Sequence, residues 1–414
     1  MKILSADFVI VCNDNFDIWE NYSVCIDKEI IEVGKREEIL KKYPNTQEIY
    51  FGKNSILMPS LVNPHVHLEF SANRTYLKYG DFIEWLKSVI VYREKLKEEC
   101  QEECYKKAIN QMLKSGVGIF GEISSGGDDL KSCVQAPQKV VFFNEILGSQ
   151  PEVVDILYND FLNRVKESQK YASKRFIPSI SIHSPYSTHP ILIKKTLSMA
   201  KAEGMIVSTH FMESKAEREW IDKGSGDFKD FFKTFFPHIP VIKPLTSSKE
   251  FLKSFIGVRA LFTHALFASS KELEMIKDLG GVITHCPISN RLLNNKTLNL
   301  KLLRELKLSY NIATDGLSSN ISLNMWNELR EALFIHEEEN LSSFAKELLK
   351  AATKEAAFAL GFDSGVIEKG KKADIIAIKL PNSTKKEDIA YQIILHTNEV
   401  EKIFIDGEEA CPIL

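Results

Sequence analysis

None of the seven cysteines stands in a C-x-x-C pair, and an odd number scattered over 414 residues makes a disulfide framework unexpected. Cys100 and Cys104, four apart in a strongly charged helical stretch, could clip a metal only with a second pair nearby, and none is present. Cys286 reads as a small buried thiol at a strand end. There is no basic excess: Lys plus Arg number 53 against 56 Asp plus Glu, a net charge of -3, which leaves nothing to neutralise a phosphate backbone and excludes nucleic acid as a partner. No run of about 18 apolar residues occurs. The N-terminal run is broken by Asp7 and carries no small-residue cleavage pattern, so the expectation is a soluble cytoplasmic protein with no membrane partner.

What is present is a change of rhythm along the chain. Residues 1 to 57 read as short strands, Phe8 to Cys12, Tyr22 to Ile26 and Ile30 to Gly34, joined by Asn/Asp-rich turns. The tail repeats that character in Ala373 to Ile378 and Val400 to Ile405, the latter followed by the turn signal Asp406-Gly407. Neither end could form a stable sheet pair by itself, so residues 1–57 and 365–414 are expected to meet as one small β-sandwich. The middle, 58–364, alternates short apolar runs with longer helical patterns, the signature of parallel β/α units. Eight strand candidates follow: Ile56 to Leu61, Gly118 to Glu122, Val140 to Ile146, Ile177 to Ile182, Met205 to Thr209, Arg259 to Thr263, Gly281 to Thr284 and Tyr310 to Thr314. The expected fold is α/β, a (β/α)8 TIM-type barrel with the sandwich attached. The connection 211–258, broken by Gly224, Gly226, Pro237, Pro240 and Pro244, reads equally as a lid over the barrel mouth or as a surface excursion.

The chemistry starts at Pro64-His65-Val66-His67. Side chains two apart on a strand share a face, so both imidazoles can bind one cation. Ten histidines would give an H-x-H by chance in roughly one such chain in four, so the pair proves little alone. Three later residues change that. His210, His264 and Asp315 each follow a short apolar run, and histidines with a carboxylate at successive strand ends describe a metal centre at the C-terminal mouth of a barrel.

The segments Met58 to His67, His210-Phe211-Met212-Glu213, Thr263-His264 and Thr314-Asp315-Gly316, with the split sandwich, resemble the amidohydrolase superfamily over essentially the whole chain. The resemblance implies that His65, His67, His210 and Asp315 bind one divalent metal, with His264 beside its water. A dinuclear relative would carry a carboxylated lysine on the fourth strand, whereas this strand ends in His183, which implies a mononuclear site. Zn2+ and Fe2+ both suit these donors. Such a cation brings the pKa of water towards neutrality. Asp315 would share the water's proton, and Glu213, in an H-x-x-E pattern, is the expected proton shuttle.

The combination of H-x-x-E with a sixth-strand histidine resembles the aromatic-base deaminases. The runs His285 to Asn290 and Asp315 to Asn320 resemble the branch acting on the adenine of methylthioadenosine, S-adenosylhomocysteine and aminodeoxyfutalosine. The other zinc-deaminase solution needs H-x-E with P-C-x-x-C, which is missing. Gly80 to Leu86 and Tyr92-Arg93-Glu94 resemble the branch's first-loop helix, in which Glu94 would hold the ribose hydroxyls and Trp85 would line the pocket, with His183 contacting base or sugar. No arginine stands in the third strand, Phe142 to Gln150, to meet an amino-acid tail. The first loop is rich in rings instead: Phe70, Tyr76, Tyr79, Phe82, Trp85 and Tyr92. A flat apolar pocket suits the carboxylated phenyl ring of aminodeoxyfutalosine, an intermediate of the alternative menaquinone pathway, with Ser149, Ser184, Tyr186, Arg74, Arg93 and Arg291 as candidates for its carboxylate. The alternatives are methylthioadenosine or S-adenosylhomocysteine deamination, guanine or s-triazine type hydrolysis, and a non-catalytic metal-binding scaffold. The expected partner is a small nucleoside, and a homodimer is allowed.

Overall fold

The computed structural model describes residues 1–73, 75–237 and 242–413; Arg74 and Pro240 lie outside the described residues. Two small sheets form from the ends of the chain. One is four-stranded, in the order Ile30–Lys35, Tyr22–Ile26, Lys2–Ser5, Glu48–Tyr50. The other is six-stranded and joins both termini, in the order Glu408–Glu409, Lys402–Ile405, Ile375–Lys379, Ser55–Pro59, Phe8–Ile10, Ile18–Glu20. Leu4, Val24 and Ile26 of the first sheet pack on Val9, Leu57, Ile375 and Phe404 of the second, so neither terminus has a complete core alone.

The remaining sheet has eight parallel strands, each beside its sequence neighbour: β1 Leu61–Val66, β2 Val117–Ser124, β3 Lys139–Ile146, β4 Phe176–Ile182, β5 Val207–Phe211, β6 Ala260–His264, β7 Val282–His285 and β8 Tyr310–Ile312. It is a nearly closed (β/α)8 barrel. Seven of the expected strands match within a few residues, and the first is corrected. Ile56 to Leu61 straddles two strands: Ser55–Pro59 belongs to the six-stranded sheet, and β1 begins at Leu61. Both strands are wholly buried, so no alternation marks the break between them, and the expected boundary at 57/58 falls inside Ser55–Pro59.

Pro64 lacks an N–H and sits where the β1–β2 register slips. Between β1 and β8 the seam is carried by an amide side chain: Asn63 donates to Thr314 Oγ1 (2.8 Å) and accepts from Thr314 N (3.1 Å), while Asp315 N donates to the His65 carbonyl (3.1 Å).

The 211–258 connection contains helices Lys215–Lys223, Asp227–Phe235 and Ser248–Ser254. Cys100 and Cys104 form a disulfide, contrary to expectation. The charged stretch is two helices, Phe82–Glu99 and Glu102–Lys114, and the turn between them brings the two Cα atoms to 5.2 Å. No helix among the described residues is long and apolar enough to cross a membrane.

One buried ion cluster ties the barrel to the terminal sheets. Lys139, at the start of β3, donates to Asp374 Oδ2 (2.7 Å) and Asp406 Oδ1 (2.7 Å), with Lys139 and Asp374 only 3% and 0% exposed. Removing the cation strands two carboxylates in or near the core, so Lys139→Met is expected to cost about 3 kcal/mol or more in urea unfolding. A loss under about 1 kcal/mol would show that the cluster is not a structural tie.

Candidate active site

The donors converge because four strand ends open into one mouth. His65 and His67 come from the end of β1, His210 from β5, His264 from β6, and Asp315 follows β8 by three residues. Met212, His264 and Asp315 have positive φ, 48°, 72° and 60°. Left-handed backbone at non-glycine residues costs roughly 1 kcal/mol or more each, and here it turns the chain sharply at the three strand ends bearing Glu213, His264 and Asp315.

His67 Nε2 lies 3.4 Å from His210 Nε2, and Asp315 Oδ1 lies 3.6 Å from His67 Nε2 and 3.7 Å from His65 Nε2. Donors about 2.1 Å from one ion stand roughly 3 to 4 Å apart, and the four donor atoms all lie within 4.8 Å of one another, so the cage is sized to hold one ion. Each donor is oriented from behind. His210 Nδ1 donates to the His183 carbonyl (2.9 Å), and His65 Nδ1 faces Thr263 Oγ1 (3.3 Å). Asp315 Oδ2 accepts from Ser289 (2.8 Å) and Ser319 (2.7 Å), while Oδ1 accepts from Gly316 N (2.9 Å). His65 Nε2 is buried without a hydrogen-bond partner, as a ligand atom is before its ion is counted. Burial and the neighbouring imidazoles hold His65 well below the usual histidine range and His210 down to about 3, so both are neutral at pH 7, the form in which imidazole can bind a cation. Burial would raise Asp315, but the histidines around it outweigh this and hold it well below the ordinary carboxylate range.

A second group, Glu145, His183 and His210, also has ligand atoms within 4.8 Å of one another. His210 serves only one of the two: its Nδ1 is committed to the His183 carbonyl and its Nε2 faces His67.

Glu213 lies just beyond β5 with Oε1 3.5 Å from His264 Nε2. Burial, then the charges of Asp315 and Glu217, push its carboxyl well above the ordinary range, which favours the protonated form. Its backbone is clamped by Glu217, whose carboxylate accepts from Met212 N (3.1 Å) and Glu213 N (2.8 Å). The Ser214-x-x-Glu217 spacing that caps helix Lys215–Lys223 was a readable signal for this clamp.

His264 is fixed by a chain of side chains. Asn290 Nδ2 donates to His285 Nδ1 (3.0 Å), so its carbonyl is left to accept from His264 Nδ1 (2.8 Å), and His285 Nε2 meets His336 Nε2 at 3.2 Å. The proton of His264 is thus on Nδ1, and Nε2 offers a lone pair towards Glu213 and, at 3.9 Å, Asp315 Oδ2.

A cavity of about 650 Å³ opens from this cluster. Trp85, His183 and Ser149 lie on its wall, as do Arg93 and Tyr186. Glu94, expected to hold the ribose hydroxyls, is not among the residues on the wall. Phe82, Trp85, Leu86, Val89, Ile90 and Arg93 form the cavity stripe of helix Phe82–Glu99, and Glu94, about 100° round from Arg93, is exposed at the edge of that stripe. Of the other carboxylate candidates, Arg291 is exposed and Ser184 is buried off the wall with its hydroxyl bonded to Ser187 (2.7 Å). Tyr76 stacks on Tyr92 away from the wall, and Tyr79 is also off it. Sequence reasoning missed Phe231, Phe232 and Phe236 of the 211–258 connection, and Glu145 and Arg164, all of which line the cavity. That connection therefore covers part of the mouth.

The amidohydrolase family model matches residues 56–410. The chain is 46% identical over 393 residues to an aminodeoxyfutalosine deaminase of Nitratiruptor sp., covering 95% of this chain and 96% of that one. It is 34% identical over 409 residues to a Helicobacter pylori protein named adenosine deaminase, covering 98% and 99%. The crystal structure of Helicobacter pylori aminofutalosine deaminase in complex with methylthio-coformycin matches 99% of this chain and 100% of that one, with a TM-score of 0.95 at 35% identity.

The tautomer is directly observable. In 15N-histidine spectra His264 should carry its proton on Nδ1, and Asn290→Leu should abolish that preference. An Nε2–H tautomer in the unsubstituted protein would contradict the hydrogen-bond chain.

Proposed function

The chain belongs to the amidohydrolase family, and from that premise we propose that it removes the amino group from the adenine ring of aminodeoxyfutalosine by hydrolysis, giving futalosine and ammonia in the alternative route to menaquinone. The observation that carries this reading is that a cage of three imidazoles and one carboxylate, a raised carboxyl and a lone-pair imidazole share one nucleoside-sized cavity. The 46% identity over nearly the full length of an aminodeoxyfutalosine deaminase supports the choice of nucleoside.

His65, His67, His210 and Asp315 would hold one divalent cation, zinc or iron(II). Such an ion supplies a Lewis acid that lets water lose a proton near neutral pH. The protein's own groups handle the protons. Glu213 gives its proton to ring N1 as water oxygen bonds to C6, and His264 Nε2, with Asp315 Oδ2, takes one proton from that water. This proton passes to the amino group, the C–N bond breaks and ammonia leaves. The second water proton restores Glu213, and N1 keeps the proton it received, so the balance closes. Trp85 is held at the mouth by its Nε1 bond to the Ser318 carbonyl (2.8 Å) and, with Phe232, offers flat apolar walls.

The ultraviolet change from adenine to hypoxanthine reads the reaction. On a panel of adenosine, methylthioadenosine, S-adenosylhomocysteine and aminodeoxyfutalosine, kcat/KM for the last should exceed that for S-adenosylhomocysteine at least about a hundredfold, a gap of about 2.7 kcal/mol. Equal rates would overturn the substrate and leave the deaminase standing. Glu213→Gln should lower kcat at least about a hundredfold with metal content unchanged, and normal turnover would remove this residue from the proton path.

A further inference from the structure

The charges on the cavity wall are satisfied unequally. Arg164 is engaged by the protein: Nε donates to Asp160 Oδ2 (3.0 Å), and the guanidinium also donates to the Glu145 carbonyl (2.8 Å) and the Ser124 carbonyl (3.4 Å). Glu145, only 2% exposed, accepts from Ser125 (2.9 Å) and, at 3.4 Å, from Ser181. Arg93 has neither a hydrogen bond nor an ion pair among the described residues, although it is half-buried and on the wall. A guanidinium that lines a cavity with none of its donors engaged by the protein is a site for an anion that arrives from outside.

Its position says which part of a nucleoside it meets. Trp85, tied to Ser318 three residues from Asp315, marks the catalytic end of helix Phe82–Glu99. Arg93 is eight residues further on, roughly 12 Å along the axis, on the same stripe. Between them the wall carries Val89, and His183 lines the same cavity. A base placed at the cage with its sugar beside His183 would direct the group on the ribose 5′ carbon along the wall that carries Val89, Leu157 and Arg93.

Resting on the deaminase reading above, we propose that Arg93 and the apolar side chains flanking it form a subsite for a carboxylated aryl substituent, and that Arg93 selects substrates by pairing with that carboxylate. Asp160 and Glu145 do not pre-empt the pairing, since Arg164 holds the first and serine hydroxyls the second, and Glu69, the buried carboxyl near enough to feel the Arg93 charge, makes no ion pair with it and accepts from Gly126 N (2.8 Å). A zwitterionic tail would bring an ammonium group to the same guanidinium, which disfavours it.

The test compares three substrates with wild type, Arg93→Met and Arg93→Lys: aminodeoxyfutalosine, its carboxamide analogue and 5′-deoxyadenosine. Arg93→Met should lower kcat/KM for the carboxylate at least about thirtyfold while changing the other two less than about threefold, and Arg93→Lys should recover part of the loss. In wild type the carboxamide should be poorer than the carboxylate by a similar factor. An equal loss on all three substrates, or no loss on the carboxylate, overturns the subsite while wild-type deamination of aminodeoxyfutalosine leaves the proposed function intact. A wild type that prefers 5′-deoxyadenosine overturns both.

Discussion

The structure depends on the seam between β1 and β8. The side chain of Asn63 stands in for ladder hydrogen bonds to Thr314, and the next residue, Asp315, donates its amide to the His65 carbonyl. Closing the barrel and assembling the donor cage are therefore one event: the contact that joins the last strand to the first also sets Asp315 Oδ1 at 3.6–3.7 Å from the two imidazoles of β1. His210, on the far side, completes the cage only because five strands in unbroken parallel order fix the distance from β1 to β5. A slip at the seam would cost both closure and the ligand set.

Around that cage lies a set of buried groups whose protonation states are set by their neighbours. Imidazoles withdrawn from water stay neutral, Asp315 stays ionised under two serine hydroxyls and a backbone amide, and Glu213 is driven towards its acid form by burial and adjacent carboxylates. Two carboxylates 102 positions apart in sequence thus take opposite states because one is ringed by histidines and the other by apolar atoms and negative charge. That division separates a proton acceptor from a proton donor on either side of His264, which stands 3.9 Å from one and 3.5 Å from the other.

The parts legible in the sequence were those written in residue type and strand-end position: the histidines, Asp315, Glu213, the eight β/α units and the sandwich shared by the termini. What was not legible depended on rotation or on tertiary meeting. Arg93 and Glu94 are adjacent letters, yet one faces the cavity and the other solvent, and a resemblance in sequence does not resolve 100° of helix. The break between Ser55–Pro59 and β1 was hidden because both strands are buried on both faces. Phe231, Phe232 and Phe236 sit in a segment whose glycines and prolines advertised irregularity and concealed an aromatic helix face. The hydrogen-bond chain through Asn290 and His285 joins their short run to His264 on β6 and to His336 at the end of helix Met325–Ile335, neither of which any local pattern connects to it.

The central claim is that one ion is held by three imidazoles and one carboxylate at the end of the seam. X-ray absorption at the metal edge, on protein loaded with zinc and stripped of excess, measures this without reference to turnover. The account predicts one ion per chain with three nitrogen neighbours and carboxylate oxygen at about 2.0–2.2 Å. Two ions per chain, or a single ion with fewer than three histidine neighbours, would contradict it.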